Sequence, residues 1–246
     1  RRDDGRPALL ARGGGRAVRR DTGELAAREW DVVVVGGGIY GAAAAWDAAQ
    51  RGLSVALVER EDFSAGASWA SLKTIHGGMR YLQTLDLVRL RESARERRTL
   101  LAIAPQLVRP LPFLVPTYGH GAKGREALAL GLLLYDLLTR DRNEGLRSDR
   151  RLPGARTVPA AEALRLVPGL ERRRLTGAAL WHDAQARSTE RLTLAFVHAA
   201  ARAGAAAANH AEAIELLRAG GRVAGVAVRD RLSGRTLEAR ARMVLN

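Results

Sequence analysis

Hydrophobic residues in this chain change their spacing several times, and each change marks an element. Val32 to Val35 is an unbroken valine run, short and β-branched, which predicts a strand buried on both faces of a parallel sheet. Ala42 to Gln50 follows with small side chains and with Gly52 placed to end it, predicting a helix that lies close over that strand. Val55 to Val58 is a second short apolar run and completes a βαβ unit.

Further along, Leu85 to Ala104 reads as a long helix with Leu87, Leu90, Ala94, Leu100 and Leu101 available to pack. Its charges at Arg89, Arg91, Glu92, Arg95, Glu96 and Arg97 are expected to form a solvated face. The prolines at 110, 112 and 116 limit the stretch around Leu111 to Pro116 to an edge strand. Arg125 to Thr139 is an apolar helix too short to span a bilayer, either packed within the protein or docked on a membrane surface. Residues 140–158 read as loop, Ala160 to Leu166 as a short helix, and Leu175 to Trp181 as a strand. Ser188 is a candidate cap for a helix to about Ala203. Ala211 to Leu217, Val223 to Asp230 and Thr236 to Ala241 then form an expected three-stranded antiparallel excursion with glycine-containing turns. Met243 to Leu245 returns to the parallel sheet.

Composition changes this picture in a few places. Residues 1 to 28 mix Arg, Asp and Gly without periodicity and are expected to be a disordered tail. The chain opens on arginine and stops at Asn246 directly after an apolar run, so it is expected to be a piece of a longer protein. Net charge is +14, but 38 of the 40 basic residues are arginine and they are scattered among acids. That argues for compositional bias and against a nucleic-acid-binding stripe, while leaving a weak attraction to anionic lipid. There is no cysteine and the histidines are dispersed, so no metal site is expected. No signal peptide is apparent, and a cytoplasmic protein, peripheral on the membrane at most, is expected.

The candidate chemistry begins at the end of the first strand. Gly36, Gly38 and Gly41 form a Gly-x-Gly-x-x-Gly turn between that strand and its helix. Gly36 suits the tight turn, Gly38 lets a pyrophosphate approach the backbone, and Gly41 allows helix and strand to pack closely. The helix N-terminus favours the anion, and Glu59, at the end of the second strand, is placed to accept from adenosine ribose hydroxyls. After a polar loop comes Ser71-Leu72-Lys73-Thr74-Ile75-His76-Gly77-Gly78-Met79-Arg80-Tyr81-Leu82. Its glycine pair implies backbone pressed against something flat or charged. No Walker-type loop, Gly-x-Ser-x-Gly elbow or zinc helix is present.

The glycine turn, Glu59 and the segment from Ser71 to Leu82 resemble the N-terminal part of the FAD-dependent glycerol-3-phosphate dehydrogenases. The likeness extends to Ile103-Ala104-Pro105, Leu134-Tyr135-Asp136 and Trp181-His182-Asp183-Ala184. It implies an α/β fold: a Rossmann-like FAD-binding domain of the glutathione-reductase and amino-acid-oxidase type, with the antiparallel excursion and part of a substrate (cap) domain. The expected division is 29–105 for the first part of the FAD domain, 106–185 for the cap region and 186–246 for the return. By similarity, Ser68, Ser71, His76, Gly77 and Gly78 line the flavin, and Arg80 and Tyr81 face the substrate phosphate. The implied reaction oxidises sn-glycerol 3-phosphate to dihydroxyacetone phosphate and passes electrons to quinone or another acceptor. The alternatives are an amino-acid-oxidase-like enzyme for another substrate and a non-catalytic FAD-binding fragment.

Overall fold

The computed structural model describes residues 18–121 and 124–246. The described residues up to Lys73 join Ser188–Asn246 in one compact unit, and Thr74–Arg187 forms another. The expected boundary after 105 therefore falls earlier. The chain leaves the first unit at Thr74 because β3 (Thr74–Ile75) pairs with a strand of the second.

In the first unit, β1 (Trp30–Val35), α2 (Ile39–Gln50) and β2 (Val55–Val58) form the βαβ core. β2 is buried along its whole length, as a central parallel strand with both faces covered should be. The six-stranded sheet runs β7-β2-β1-β10-β9-β8, where β7 is Ala206–Ala208, β8 Ala211–Ala219, β9 Arg222–Asp230 and β10 Thr236–Leu245. The last strand of the antiparallel excursion and the return strand are one continuous element, β10. Residues 236–240 of β10 pair antiparallel with β9, and residues 241–245 pair parallel with β1. β7, three alanines parallel to β2, is missing from the sequence reading because alanine carries little strand preference of its own. Ser188 caps α6 (Thr189–Arg202) by accepting from the Arg191 N–H. α6 lies beside α2, with Trp46 edge-on to Phe196 at 5.4 Å.

The expectation of a disordered tail to residue 28 is corrected over its described part; residues 1–17 lie outside the described residues. Asp21 caps α1 (Thr22–Ala26), Leu25 is fully buried, and the Trp30 indole N–H donates to the Leu25 carbonyl at 2.9 Å. Arg20 reaches Asp230 at 2.6 Å and the Asn209 carbonyl at 2.9 Å, and the Thr22 hydroxyl donates to the same carboxylate at 3.1 Å. With Arg20 the leading cause, the Asp230 carboxyl is held far below the usual carboxylate range. A depressed folded-state pKa stabilises the fold fully above the unfolded value of about 4 and less as pH falls. Arg20→Met should therefore lose about 1–3 kcal/mol of stability near neutral pH, and the gap from the parent should narrow in acid. Urea unfolding of both proteins at neutral pH and well below pH 4 measures this. An equal gap at the two pH values would disconnect Arg20 from Asp230.

In the second unit the organising strand is β6 (Leu175–Ala186), longer than expected. One edge pairs with β4 (Val108–Tyr118), while β5 (Arg156–Pro159) and β3 pair at separate places with the other. β4 lies at the edge of its sheet, and Pro110, Pro112 and Pro116 share one parity along it. Their missing N–H groups then all fall on the side away from β6, which is how an eleven-residue strand tolerates three prolines. β5 lies in the expected loop 140–158. Its brevity and flanking proline concealed it. α3 (Leu87–Ile103), α4 (Arg125–Leu138) and α5 (Ala160–Leu166) complete the unit. α4 buries Leu132 and Tyr135 but leaves Leu130, Leu133, Leu134 and Leu137 exposed. Among the described residues no helix is long and apolar enough to cross a membrane.

Candidate functional site

β1 delivers the chain to Gly36, which turns at φ +105 and donates its N–H to the Val58 carbonyl at 2.8 Å. Gly41 sits where α2 crosses this turn: a Cβ there would stand 1.9 Å from the Gly36 carbonyl oxygen. Gly38 is the N-cap of α2 and has no side chain to cap with. Among the first-turn donors, the Ile39 N–H is taken by the Ser68 hydroxyl at 2.9 Å. The loop after β2 thus folds back over the glycine turn. Ser64, buried and at φ +72, donates its N–H to the Gly37 carbonyl at 3.0 Å, and the Phe63 ring occupies the place of a Gly37 side chain.

Glu59 is half-buried at the end of β2, and its carboxylate accepts from the Gly37 N–H at 2.6 Å and the Glu61 N–H at 2.8 Å. Each oxygen retains a lone pair. Beside it lies a cleft of about 290 Å³ lined by Val35, Gly36, Val58, Glu59, Arg60 and Ala211. A helix start whose N-cap residue carries no side chain, an open turn at Gly36 and an acid at the cleft form the cradle that the ADP portion of FAD requires. Gly36, Gly38, Gly41, Glu59 and Ser68 are therefore brought together in this unit. Ser71 is exposed, with its hydroxyl accepting from the Lys73 N–H at 3.3 Å.

His76, Gly77, Gly78, Arg80 and Tyr81 belong to the second unit. Gly78 turns at φ +83 and leads into a 3₁₀ helix over Met79–Thr84. Arg80 is exposed on that turn, its guanidinium 5.9 Å from the Tyr81 ring, and among the described residues it has no carboxylate partner. The His76 and Tyr81 rings meet edge-on at 6.2 Å. Arg80 also borders a largely apolar cavity of about 380 Å³ shared with Met79, Leu82, Val115, Leu132 and Trp181.

The flat, charged neighbour expected beside the glycine pair is present within the protein itself. It is the Arg97 guanidinium: a Cβ on Gly77 would stand 2.1 Å from its Nη1. Arg97 is fully buried and paired with Asp183, which corrects its placement on a solvated face. Asp183 accepts from the Gly77 N–H at 2.6 Å and the Trp181 indole at 3.3 Å. The Tyr135 hydroxyl accepts from Arg97 at 2.9 Å and reaches the Gly77 carbonyl at 3.4 Å. Burial pushes the Tyr135 phenol above its ordinary range, so it remains a donor. No role for these three residues was read from the sequence. The only signal was that Tyr135 and Asp183 fall inside stretches carrying the family likeness, whereas Arg97 was hidden among the helix charges.

The family model described as FAD dependent oxidoreductase matches residues 31–246. The chain belongs to this family. Its fold is the family's FAD-binding α/β fold, and its cofactor is FAD. Over 229 residues it is 42% identical to glycerol-3-phosphate dehydrogenase 2 of Mycobacterium tuberculosis, covering 90% of this chain and 36% of that protein. It is 38% identical to the human mitochondrial glycerol-3-phosphate dehydrogenase over 231 residues, covering 89% of this chain and 30% of the relative. Among solved structures, glycerol-3-phosphate dehydrogenase from Bacillus halodurans complexed with FAD superposes with a TM-score of 0.66 at 26% identity, over 90% of this chain and 34% of that one. Glycine oxidase from Bacillus cereus, at 21% identity and a TM-score of 0.58 over 88% of this chain and 56% of that one, shares the fold. The chain spans about a third of the length of the curated relatives it matches.

Proposed function

We propose that this chain is the FAD-binding portion of an enzyme that oxidises sn-glycerol 3-phosphate to dihydroxyacetone phosphate. The observation that carries the reading is Arg80. It is exposed and, among the described residues, without an acidic partner in a chain rich in ion pairs, just after the glycine pair, and its planar fork suits a phosphate dianion. The identity to proteins named glycerol-3-phosphate dehydrogenase supports the same substrate. In this reaction C2 loses a hydride and its hydroxyl a proton. FAD would be held by Gly36, Gly38 and Glu59, on a turn that Gly41 lets close against its helix, and would supply the hydride acceptor. Arg80 and Tyr81 bind and orient the phosphate end.

The electrons pass on to quinone or another acceptor, with the enzyme peripheral at the cytoplasmic face of a membrane. The exposed leucines of α4 support this placement, since an amphipathic helix of this kind can lie in a lipid interface.

Arg80→Ala tests the substrate. Losing a hydrogen bond to a charged group costs about 1.5–3 kcal/mol, so kcat/KM for glycerol 3-phosphate should fall by about tenfold or more. The value for unphosphorylated glycerol should barely move, and FAD content should be intact. Equal losses on both substrates would remove Arg80 from phosphate recognition.

A further inference from the structure

We infer that Asp183, Tyr135 and Arg97 are positioning residues whose task is to fix the backbone of Gly77, and through it the turn that carries Arg80 and Tyr81. The inference rests on the proposed role of Arg80. It concerns three residues from three separate elements, β6, α4 and α3, that converge on one glycine.

The geometry is specific. Asp183 takes the Gly77 N–H at 2.6 Å, which belongs to the peptide before Cα. The Tyr135 hydroxyl donates to the Gly77 carbonyl at 3.4 Å, which belongs to the peptide after it. Holding both peptide planes fixes φ and ψ of the residue type with the greatest freedom. Arg97 ties the two side chains together, its two Nη1 hydrogens shared among the Tyr135 hydroxyl, the Asp183 carboxylate and the His182 carbonyl at 3.0 Å. Upstream, Thr74 and Ile75 are held by β6, and downstream Gly78 leads directly into the 3₁₀ turn bearing Arg80 and Tyr81. Freedom at Gly77 would therefore pass straight into the direction of Arg80.

Stability alone does not account for this cluster. A buried ion pair is often no better for the fold than apolar side chains of the same volume. Here Nε and Nη2 of Arg97 are buried without an acceptor among the described residues, which is a cost. The arrangement sacrifices those donors and concentrates its bonding on one nitrogen beside Gly77.

The test uses the FAD-loaded enzyme and two routes to the same change. Tyr135→Phe removes two hydrogen bonds, one to the Gly77 carbonyl and one from Arg97, and little volume. Arg97→Met combined with Asp183→Leu removes the buried pair together with the acceptor for the Gly77 N–H and leaves no stranded charge. In each, the Kd of dihydroxyacetone phosphate, read from flavin absorbance, should rise about five- to tenfold. The preference for glycerol 3-phosphate over glycerol should fall by a similar factor, with FAD content and melting temperature near those of the parent. Neither variant should lower that preference further in an Arg80→Ala background, because they act through Arg80. If Arg80→Ala abolishes the preference but Tyr135→Phe leaves both Kd and preference unchanged, the positioning role is overturned while the substrate reading stands. If Arg80→Ala itself leaves the preference unchanged, the substrate reading fails first. If the double variant does not fold, the Tyr135→Phe result alone decides.

Discussion

Gly41→Ala should cost the protein its fold before it costs it the cofactor. The added methyl would stand 1.9 Å from the Gly36 carbonyl oxygen, 3.1 Å from its carbon and 3.3 Å from Val34 Cγ1. Two of those atoms are backbone, so no side-chain rotation relieves the overlap, and α2 must lift from the end of β1. Overpacking of a core costs about 1–3 kcal/mol where side chains can shift, and the upper end or beyond applies here. That is a large share of the roughly 5–15 kcal/mol by which a domain is stable. A drop of about 6–12 °C in melting temperature is expected, together with a low yield of soluble protein. Differential scanning calorimetry measures it. A melting temperature within a degree or two of the parent would mean that helix and strand are not packed as closely as Gly41 suggests.

Gly38→Val, three residues earlier in the same motif, should fail in the opposite way: a folded protein that purifies colourless. Gly38 has φ −75 and ψ −177, which any residue adopts. A Cβ there meets the Ser68 hydroxyl at 3.0 Å, a side-chain end that can give by a few tenths of an ångström at some cost to its bond from the Ile39 N–H. The backbone therefore has no objection to valine. The objection comes from the ligand, because branched methyl groups at the helix N-cap stand where a pyrophosphate must approach the backbone donors. Affinity for FAD should fall at least a hundredfold, about 2.7 kcal/mol. Flavin titration and the absorbance of the purified protein give the answer. Yellow protein with full flavin content would move the phosphates away from Gly38. Taken together, the two variants separate a glycine that serves packing from one that serves binding.

Much of this was legible without coordinates because the nucleotide cradle is local. Strand, turn, helix and second strand lie within one short stretch, and the constraints on Gly36, Gly38, Gly41 and Glu59 are set within that stretch and the loop that follows it. Pattern and spacing therefore sufficed to place them, and the alternation of β8 to β10 with its glycine turns was equally readable. The β7 alanines were not, since alanine declares neither strand nor helix strongly enough to override its neighbours. Helix α1 was hidden in a polar stretch whose order comes in large part from a remote contact, Arg20 with Asp230, 210 positions away.

The segment from His76 to Tyr81 marks the boundary between what the two kinds of information decide. Its composition by itself determined that something must lie close to the glycine pair, and its likeness to a family determined what reaction to expect. Only the tertiary structure decided that Arg97, written among the charges of an exposed-looking helix, is buried against Gly77. A charge in a helical pattern reads as solvated unless a partner of opposite sign is brought to it. Here the partner is Asp183, 86 positions away in sequence, and burial of the pair is a property of the assembled unit that no local spacing records.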